Sequence, residues 1–205
     1  MSVRVKICGI TSPAQATMAQ DAGADALGLV IYPKSSRHVD IQKATEIRAV
    51  IGPQTTAVVL LVNADEATVR RVITEVKPDL IQFHGDETPA FCQQFGFPFI
   101  RAIRMREGLD IDAEVSAYKA EGGFLFDAWS EDQYGGTGHQ FDWSRLPSSI
   151  DYPLILAGGL TPDNVASAVT TVRPEMVDVS GGVESSPGVK DPAKVQAFIS
   201  NAKQA

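Results

Sequence analysis

Eight short runs rich in β-branched and aliphatic residues recur along the chain, each followed by a longer segment, in most cases helical in pattern, and this alternation narrows the possible folds most. The runs are Val3 to Cys8, Ala26 to Ile31, Thr56 to Val62, Leu80 to Phe83, Phe99 to Ile103, Phe124 to Asp127, Leu154 to Ala157 and Val177 to Ser180. Helical patterns occupy Pro13 to Ala22, Ile41 to Ile51, Asp65 to Val76, Pro89 to Phe95, Ile111 to Ala120, Thr161 to Val172 and Pro192 to Ala202. Helix starts are signalled at Thr11-Ser12-Pro13, Asn63-Ala64-Asp65-Glu66 and Thr161-Pro162-Asp163, where a capping residue meets Pro or an acid in the first turn. Parallel strands need crossover helices, so the pattern predicts an α/β fold, a single (β/α)8 TIM barrel over residues 1–205, with about 26 residues per unit. A doubly wound sheet is the rival. Its Gly-x-Gly-x-x-Gly turn is absent, since Cys8-Gly9-Ile10-Thr11 follows the first strand. The Gly-rich stretch from Trp129 to Leu146 reads as a functional loop with at most a short helix.

Composition limits the partners. A chain of 205 residues with 44% apolar and 21% charged residues has ordinary globular usage and can bury a core without crosslinks. Its net charge of −7, with no Lys/Arg cluster, predicts no nucleic-acid partner and no membrane partner. A small anionic ligand needs only backbone amides and one or two cations, so it stays open. Cys8 and Cys92 lie far apart and share no zinc-ligand spacing with His, which predicts a reduced, cytoplasmic protein without a metal. No signal-like or membrane-spanning apolar run is present, so the chain is expected to be neither exported nor membrane-embedded. Monomer and homodimer are equally compatible with the sequence.

In a barrel, polar residues near the C-terminal ends of strands that share the inward phase build the active site. Strand 1 puts Lys6 and Cys8 on one face and Val3, Val5 and Ile7 on the other, so Lys6 and Cys8 should point into the mouth together. A buried free cysteine is usually only a small apolar filler. Lys6 changes that reading, because a nearby cation favours the thiolate, a base or nucleophile. Gln82 and His84 share a face at the end of strand 4, and Asp178 and Ser180 share one on strand 8. Asp127 closes an apolar strand, where partial desolvation favours the protonated acid, although a solvated capping carboxylate is as common. His84-Gly85-Asp86-Glu87 could equally be a plain turn, and His38, His139 and Cys92 receive no role. Gly158 and Gly159 after strand 7, with Gly181 and Gly182 after strand 8, fit a phosphate site made from backbone amides. Arg37, after strand 2, is expected across the mouth from that site, where its guanidinium could pair with a carboxylate.

Seen together, Lys6-Ile7-Cys8-Gly9-Ile10-Thr11, Ser36-Arg37, Gln82-Phe83-His84-Gly85-Asp86-Glu87, Asp127, Gly135-Gly136-Thr137-Gly138 with Phe141-Asp142-Trp143, Ala157-Gly158-Gly159-Leu160 and Asp178-Val179-Ser180-Gly181-Gly182-Val183-Glu184 carry a resemblance. Nearly end to end, the sequence resembles the phosphoribosylanthranilate isomerase family of tryptophan biosynthesis. The resemblance implies an Amadori rearrangement of N-(5-phosphoribosyl)anthranilate, with Asp127 as general acid and Cys8 as general base and with no cofactor. It further implies that Arg37 binds the anthranilate carboxylate, that the glycine loops bind phosphate, and that Asp178 lies near the amine and hydroxyl region. Family members often carry Ser where this chain has Gly181, and the family varies at Ser36. Two alternatives remain at this stage: a phosphosugar isomerase of histidine biosynthesis, which resembles a two-aspartate pair instead, and a non-catalytic sensor of phosphate ligands.

Overall fold

In the computed structural model, which describes residues 2–128, 142–146 and 151–205, the eight runs pair in sequence order into a closed parallel barrel. The strands are β1 (Arg4–Cys8), β2 (Ala26–Ile31), β3 (Thr56–Leu61), β4 (Leu80–Phe83), β5 (Phe99–Met105), β6 (Phe124–Ala128), β7 (Leu154–Leu156) and β8 (Met176–Val179), and β8 pairs with β1 to close the ring. Every run therefore becomes a strand close to its expected limits.

The alternation in each strand decides which side chains enter the barrel. Val5, Ile7, Leu27, Leu29, Val59, Leu61, Phe83, Phe124, Phe126 and Val177 face outward into the large core shared with the helices. Inside, Ala26, Val58, Ile100, Ala102, Leu125, Ile155 and Met176 form a lower layer, and Cys8, Val30, Leu60 and Val62 form an upper one. The barrel is thus a packed interior, with Arg4 and Thr56 at its lower end and the other inward polar residues from Lys6 upward to the mouth.

Among the described residues the helices are α1 (Pro13–Asp21), α2 (Ile41–Arg48), α3 (Glu66–Arg71), α4 (Pro89–Gln93), α5 (Ile111–Tyr118), α6 (Val165–Val172) and α7 (Pro192–Gln204). Ser12, Asp40, Asp65, Thr88, Asp110 and Asp191 cap six of them by accepting a backbone N–H of the first turn. A π turn over Val72–Val76 continues α3.

Three departures from the sequence reading matter for the site. Helix α6 starts at Val165, not Thr161, and is entered through a turn over residues 162–164 in which Asn164 Oδ1 accepts from Thr161 N (2.8 Å) and Asn164 Nδ2 donates to Gly159 O (2.9 Å). After β8 the chain makes a 3-10 turn over Gly181–Val183 and an antiparallel hairpin, β9 (Glu184–Ser186) with β10 (Val189–Lys190), before α7 begins. The hairpin turn is Pro187-Gly188, where Gly188 at φ +81° takes the left-handed position such a turn needs. Of the loop expected from Trp129 to Leu146, residues 142–146 hold a 3-10 turn, Trp143–Arg145, and the remainder, including His139 and Gly135 to Gly138, lies outside the described residues. Among the described residues no helix is long and apolar enough to cross a membrane.

At the N-terminal end of the barrel, carboxylates tie strands together. Asp25 accepts from Val5 N (2.8 Å), Asp79 from Ala57 N (2.7 Å) and Glu175 from Leu154 N (2.7 Å). Each satisfies a strand-end amide on the face remote from the site. Replacing Asp25 by Ala should lower unfolding stability by about 1–2 kcal/mol, since a charge-assisted bond is lost. Urea denaturation checks this, and a midpoint equal to that of the parent would show that the bond contributes nothing.

Candidate functional site

The mouth at the C-terminal strand ends divides into two lobes that share Asp127, Asp178 and Ser180. One lobe is made of Ala157 to Thr161 and Val179 to Gly182. The other has an apolar wall of Val30, Tyr32, Leu60 and Val62, with Cys8, Ser35, Arg37, Gln82 and His84 around it. A ligand with an anionic group at one end and a flat apolar ring at the other fits this division.

Backbone proximity builds the first lobe. A Cβ on Gly182 would lie 1.9 Å from Leu160 O, so the loops after β7 and β8 touch only because residue 182 has no side chain. Gly158 adopts φ +84°, and a Cβ there would press on Ala128 N and come within 3.2 Å of Asp127 Oδ1. The two glycine pairs expected to cooperate are therefore in one lobe. The amides they offer come from loop and 3-10 backbone, because α6 starts later than expected and the turn after β8 is only three residues long.

Lys6 and Asp178 pair deep inside the barrel, with Lys6 Nζ 2.8 Å from Asp178 Oδ1. Lys6 is completely buried and lines neither lobe, so it acts on the mouth through Asp178 and Cys8, which do line it. Burial alone would lower the Lys6 ammonium, but the Asp178 charge, with Cys8 adding to it, holds it above its ordinary value.

Cys8 departs from the expectation of an easily formed thiolate. Burial pushes the thiol up, and the downward pulls of Lys6 and Lys190 do not overcome it while the Asp178 charge adds to the rise. Lys6 is near, as the sequence implied, yet its charge is already answered by a carboxylate. Cys92, also buried, is pushed up to about 12, first by burial.

Asp127 is 6% exposed, and its Oδ1 accepts from Ala128 N (2.9 Å). Its Oδ2 lies 3.4 Å from His84 Nε2, a nitrogen with no hydrogen-bond partner among the described residues. On the far side of the imidazole, Gln82 Nε2 stands 2.9 Å from His84 Nδ1. Gln82, His84 and Asp127 thus form a buried row along the mouth.

The turn after His84 is held from outside the barrel. Arg101 donates to Glu87 Oε2 (3.0 Å) and Gly85 O (3.0 Å) and lies over the Tyr118 ring, while Glu87 accepts from Asn63 N (2.7 Å). The turn is structural as well as site-forming. Sequence reading did not single out Glu87 or Arg101, and a charged residue at an outward strand position was the signal available.

Arg37 is the clearest displacement from expectation. It does not face the glycine loops across the mouth but lies beside them, because β1 is hydrogen-bonded between β8 and β2 and the loops after β2 and β8 meet over Gly9. Its Nε and Nη2 each donate to Glu184 at 2.8 Å. Glu184 also accepts from Lys190 Nζ at 2.6 Å. Neither Glu184 nor Lys190 was read as a site residue; Pro187-Gly188, a hairpin signal after a strand-end motif, marked the place.

If burial governs Cys8, the thiolate absorbance near 240 nm, taken as the difference from Cys8→Ala, develops at higher pH than that of a free cysteine in an unstructured peptide. A midpoint at or below that of the peptide would mean that Lys6 outweighs burial.

The N-(5'phosphoribosyl)anthranilate (PRA) isomerase family model matches residues 5–201. A curated N-(5'-phosphoribosyl)anthranilate isomerase of Neisseria gonorrhoeae is 52% identical over 202 residues, spanning 98% of this chain and 97% of that protein. The crystal structure of phosphoribosyl anthranilate isomerase from Thermotoga maritima superposes with a TM-score of 0.90 at 36% identity, covering 99% of this chain and 100% of the other. A crystal structure of a phosphoribosyl anthranilate isomerase in complex with reduced 1-(o-carboxyphenylamino)-1-deoxyribulose 5-phosphate gives a TM-score of 0.84 at 34% identity, with 99% and 100% covered.

Proposed function

This chain belongs to the N-(5'-phosphoribosyl)anthranilate isomerase family, and from that premise we propose that it converts N-(5'-phosphoribosyl)anthranilate into 1-(2-carboxyphenylamino)-1-deoxyribulose 5-phosphate in tryptophan biosynthesis. One observation carries the reading: a glycine-lined lobe and an apolar lobe meet at Asp127, with Cys8 in the wall of the second. That is the layout a phosphate, a ribose and an aromatic ring require in turn.

The substrate phosphate rests on the amides around Gly158, Gly159, Gly181 and Gly182, and the anthranilate ring packs among Val30, Tyr32, Leu60 and Val62. Arg37 pairs with the ring carboxylate. Asp127 donates its proton to the furanose ring oxygen as the C1'–O bond breaks, and the nitrogen lone pair forms the iminium. Cys8, as thiolate, takes the C2' proton; the C–H electrons form the C1'=C2' double bond and return to nitrogen as an enolamine. Tautomerisation moves a proton to C1' and leaves the ketone. The iminium is the electron sink, so the rearrangement calls for no cofactor. Asp178, held by Lys6, faces the amine and hydroxyl region, and Ser180, Gln82 and His84 complete the contacts around the sugar. The whole barrel, residues 1–205, acts as one catalytic unit on a small molecule, and its two free cysteines suit work in the reducing cytoplasm.

Catalysis by a buried thiol sets the test. Substrate generated in situ from anthranilate and phosphoribosyl pyrophosphate by a coupling transferase should lose its fluorescence rapidly with the purified protein. Cys8→Ala and Asp127→Asn should fold normally and lose about 100-fold or more in kcat, whereas near-normal turnover in either would overturn that residue's role. Arg37→Ala should act chiefly on KM, raising it about tenfold or more. Binding of the reduced product analogue without turnover would favour the sensor, and turnover of the histidine-pathway substrate would favour the other isomerase.

A further inference from the structure

We infer that Glu184 is a positioning residue for substrate selectivity, holding one edge of the Arg37 guanidinium so that the opposite edge meets a ligand carboxylate in the apolar lobe. The inference rests on Arg37 as the carboxylate-binding group.

A guanidinium offers five N–H groups in a rigid planar fork. Nε and Nη2 both donate to Glu184, at 2.8 Å each, which occupies the side-on edge. One N–H of Nη1 and the second of Nη2 form the free end-on edge, shaped for another bidentate carboxylate, while the other Nη1 N–H points back towards Cδ. Among the described residues Nη1 has no hydrogen-bond partner. Arg37 lines the lobe bounded by Val30, Tyr32, Leu60 and Val62. An isolated arginine loses side-chain freedom when it binds, and Glu184 removes that freedom beforehand.

A buried carboxylate beside an anion-binding arginine would ordinarily cancel its charge. Lys190 prevents this. Its ammonium, 4% exposed, donates to Glu184 Oε1 (2.6 Å) and to Ser180 O (3.2 Å), so the trio of Arg37, Glu184 and Lys190 keeps one net positive charge. Burial would raise the Glu184 carboxyl, but the hydrogen bonds from Arg37 and Lys190 outweigh it and keep the group ionised. The backbone of Glu184 is fixed too, since Lys194 Nζ donates to Glu184 O at 2.8 Å. Beneath the arginine, a Cβ on Gly9 would lie 2.5 Å from Arg37 Cδ, so the side chain passes directly over the β1 loop.

Comparison of two substrates tests the proposal: the anthranilate adduct, and the aniline adduct, which lacks the carboxylate. The ratio of their kcat/KM values isolates carboxylate recognition from general damage. In Glu184→Gln the ratio should fall about tenfold, equivalent to about 1.4 kcal/mol, through KM of the anthranilate adduct. Arg37→Ala should bring it close to one, and adding Glu184→Gln to Arg37→Ala should change it no further. Equal losses on both substrates in Glu184→Gln, or no loss on either, would overturn the proposal. An unchanged ratio in Arg37→Ala would overturn the Arg37 reading itself. Glu184→Asp, which keeps the charge but withdraws the anchor, supplies a second variant: a lower ratio with an unchanged melting temperature supports positioning, and an unaltered ratio refutes it.

Discussion

The pair formed by Lys6 and Asp178 is the interaction on which the rest of the site depends. It joins the first strand to the last across the seam where the barrel closes, with Lys6 directly opposite Asp178 in the β1–β8 register. A one-residue slip would set Lys6 against Val177 or Val179 and turn its side chain towards the apolar outer layer. A fully buried ammonium without a carboxylate is very costly, so the pair specifies this register even if its net contribution to stability is small. Removing either partner alone would leave an uncompensated buried charge.

That register has chemical consequences further up the barrel. Asp178 arrives at the boundary of the two lobes with one oxygen already bound, which orients the carboxylate. Cys8 is the next inward residue on β1, and it meets a lysine whose charge is shared with Asp178. The thiol is consequently raised rather than lowered. A thiolate of this kind is scarce at neutral pH but strongly basic once formed, while Asp127 lies at the same boundary beside His84. Cys8 and Asp127, the pair of the proposed proton transfers, thus stand in different surroundings, one at the β1–β8 seam and the other on β6.

What the sequence made legible and what it left hidden differ by range. Strand phase has a period of two, so the inward direction of Lys6, Cys8, Gln82, Asp127 and Asp178 follows from each strand's own residues. Glycine pairs at two strand ends are similarly local. Arg37 could not be placed that way, because its partner Glu184 stands 147 positions away and becomes a neighbour only when β8 closes onto β1. The late start of α6 was also hidden. Thr161-Pro162-Asp163 has the composition of a helix start, and Asn164 accepts from the Thr161 amide there, yet the chain first makes a turn and regular helix begins only at Val165. The upward shift of the Cys8 thiol required knowing burial and the partner of Lys6 together, and neither is encoded in the spacing of Lys6 and Cys8.

The same layout reconciles an acidic protein with an anionic ligand. A net charge of −7 is spread over the whole chain, and salt at physiological strength screens exposed charges beyond about 8 Å. What a ligand meets at the mouth is local. Lys6 is balanced by Asp178, and Arg37 with Lys190 exceeds Glu184 by one charge. In the other lobe the donors are backbone amides of glycine loops, which attract a phosphate without placing another full charge near Asp127 or Cys8. A lysine in that lobe would also attract an anion, but as a full charge it would need a counter-ion or would change the balance of the mouth. Amides attract an anion through partial charges alone, and these loops can offer them side by side because Gly182 lets the segments after β7 and β8 touch at Leu160.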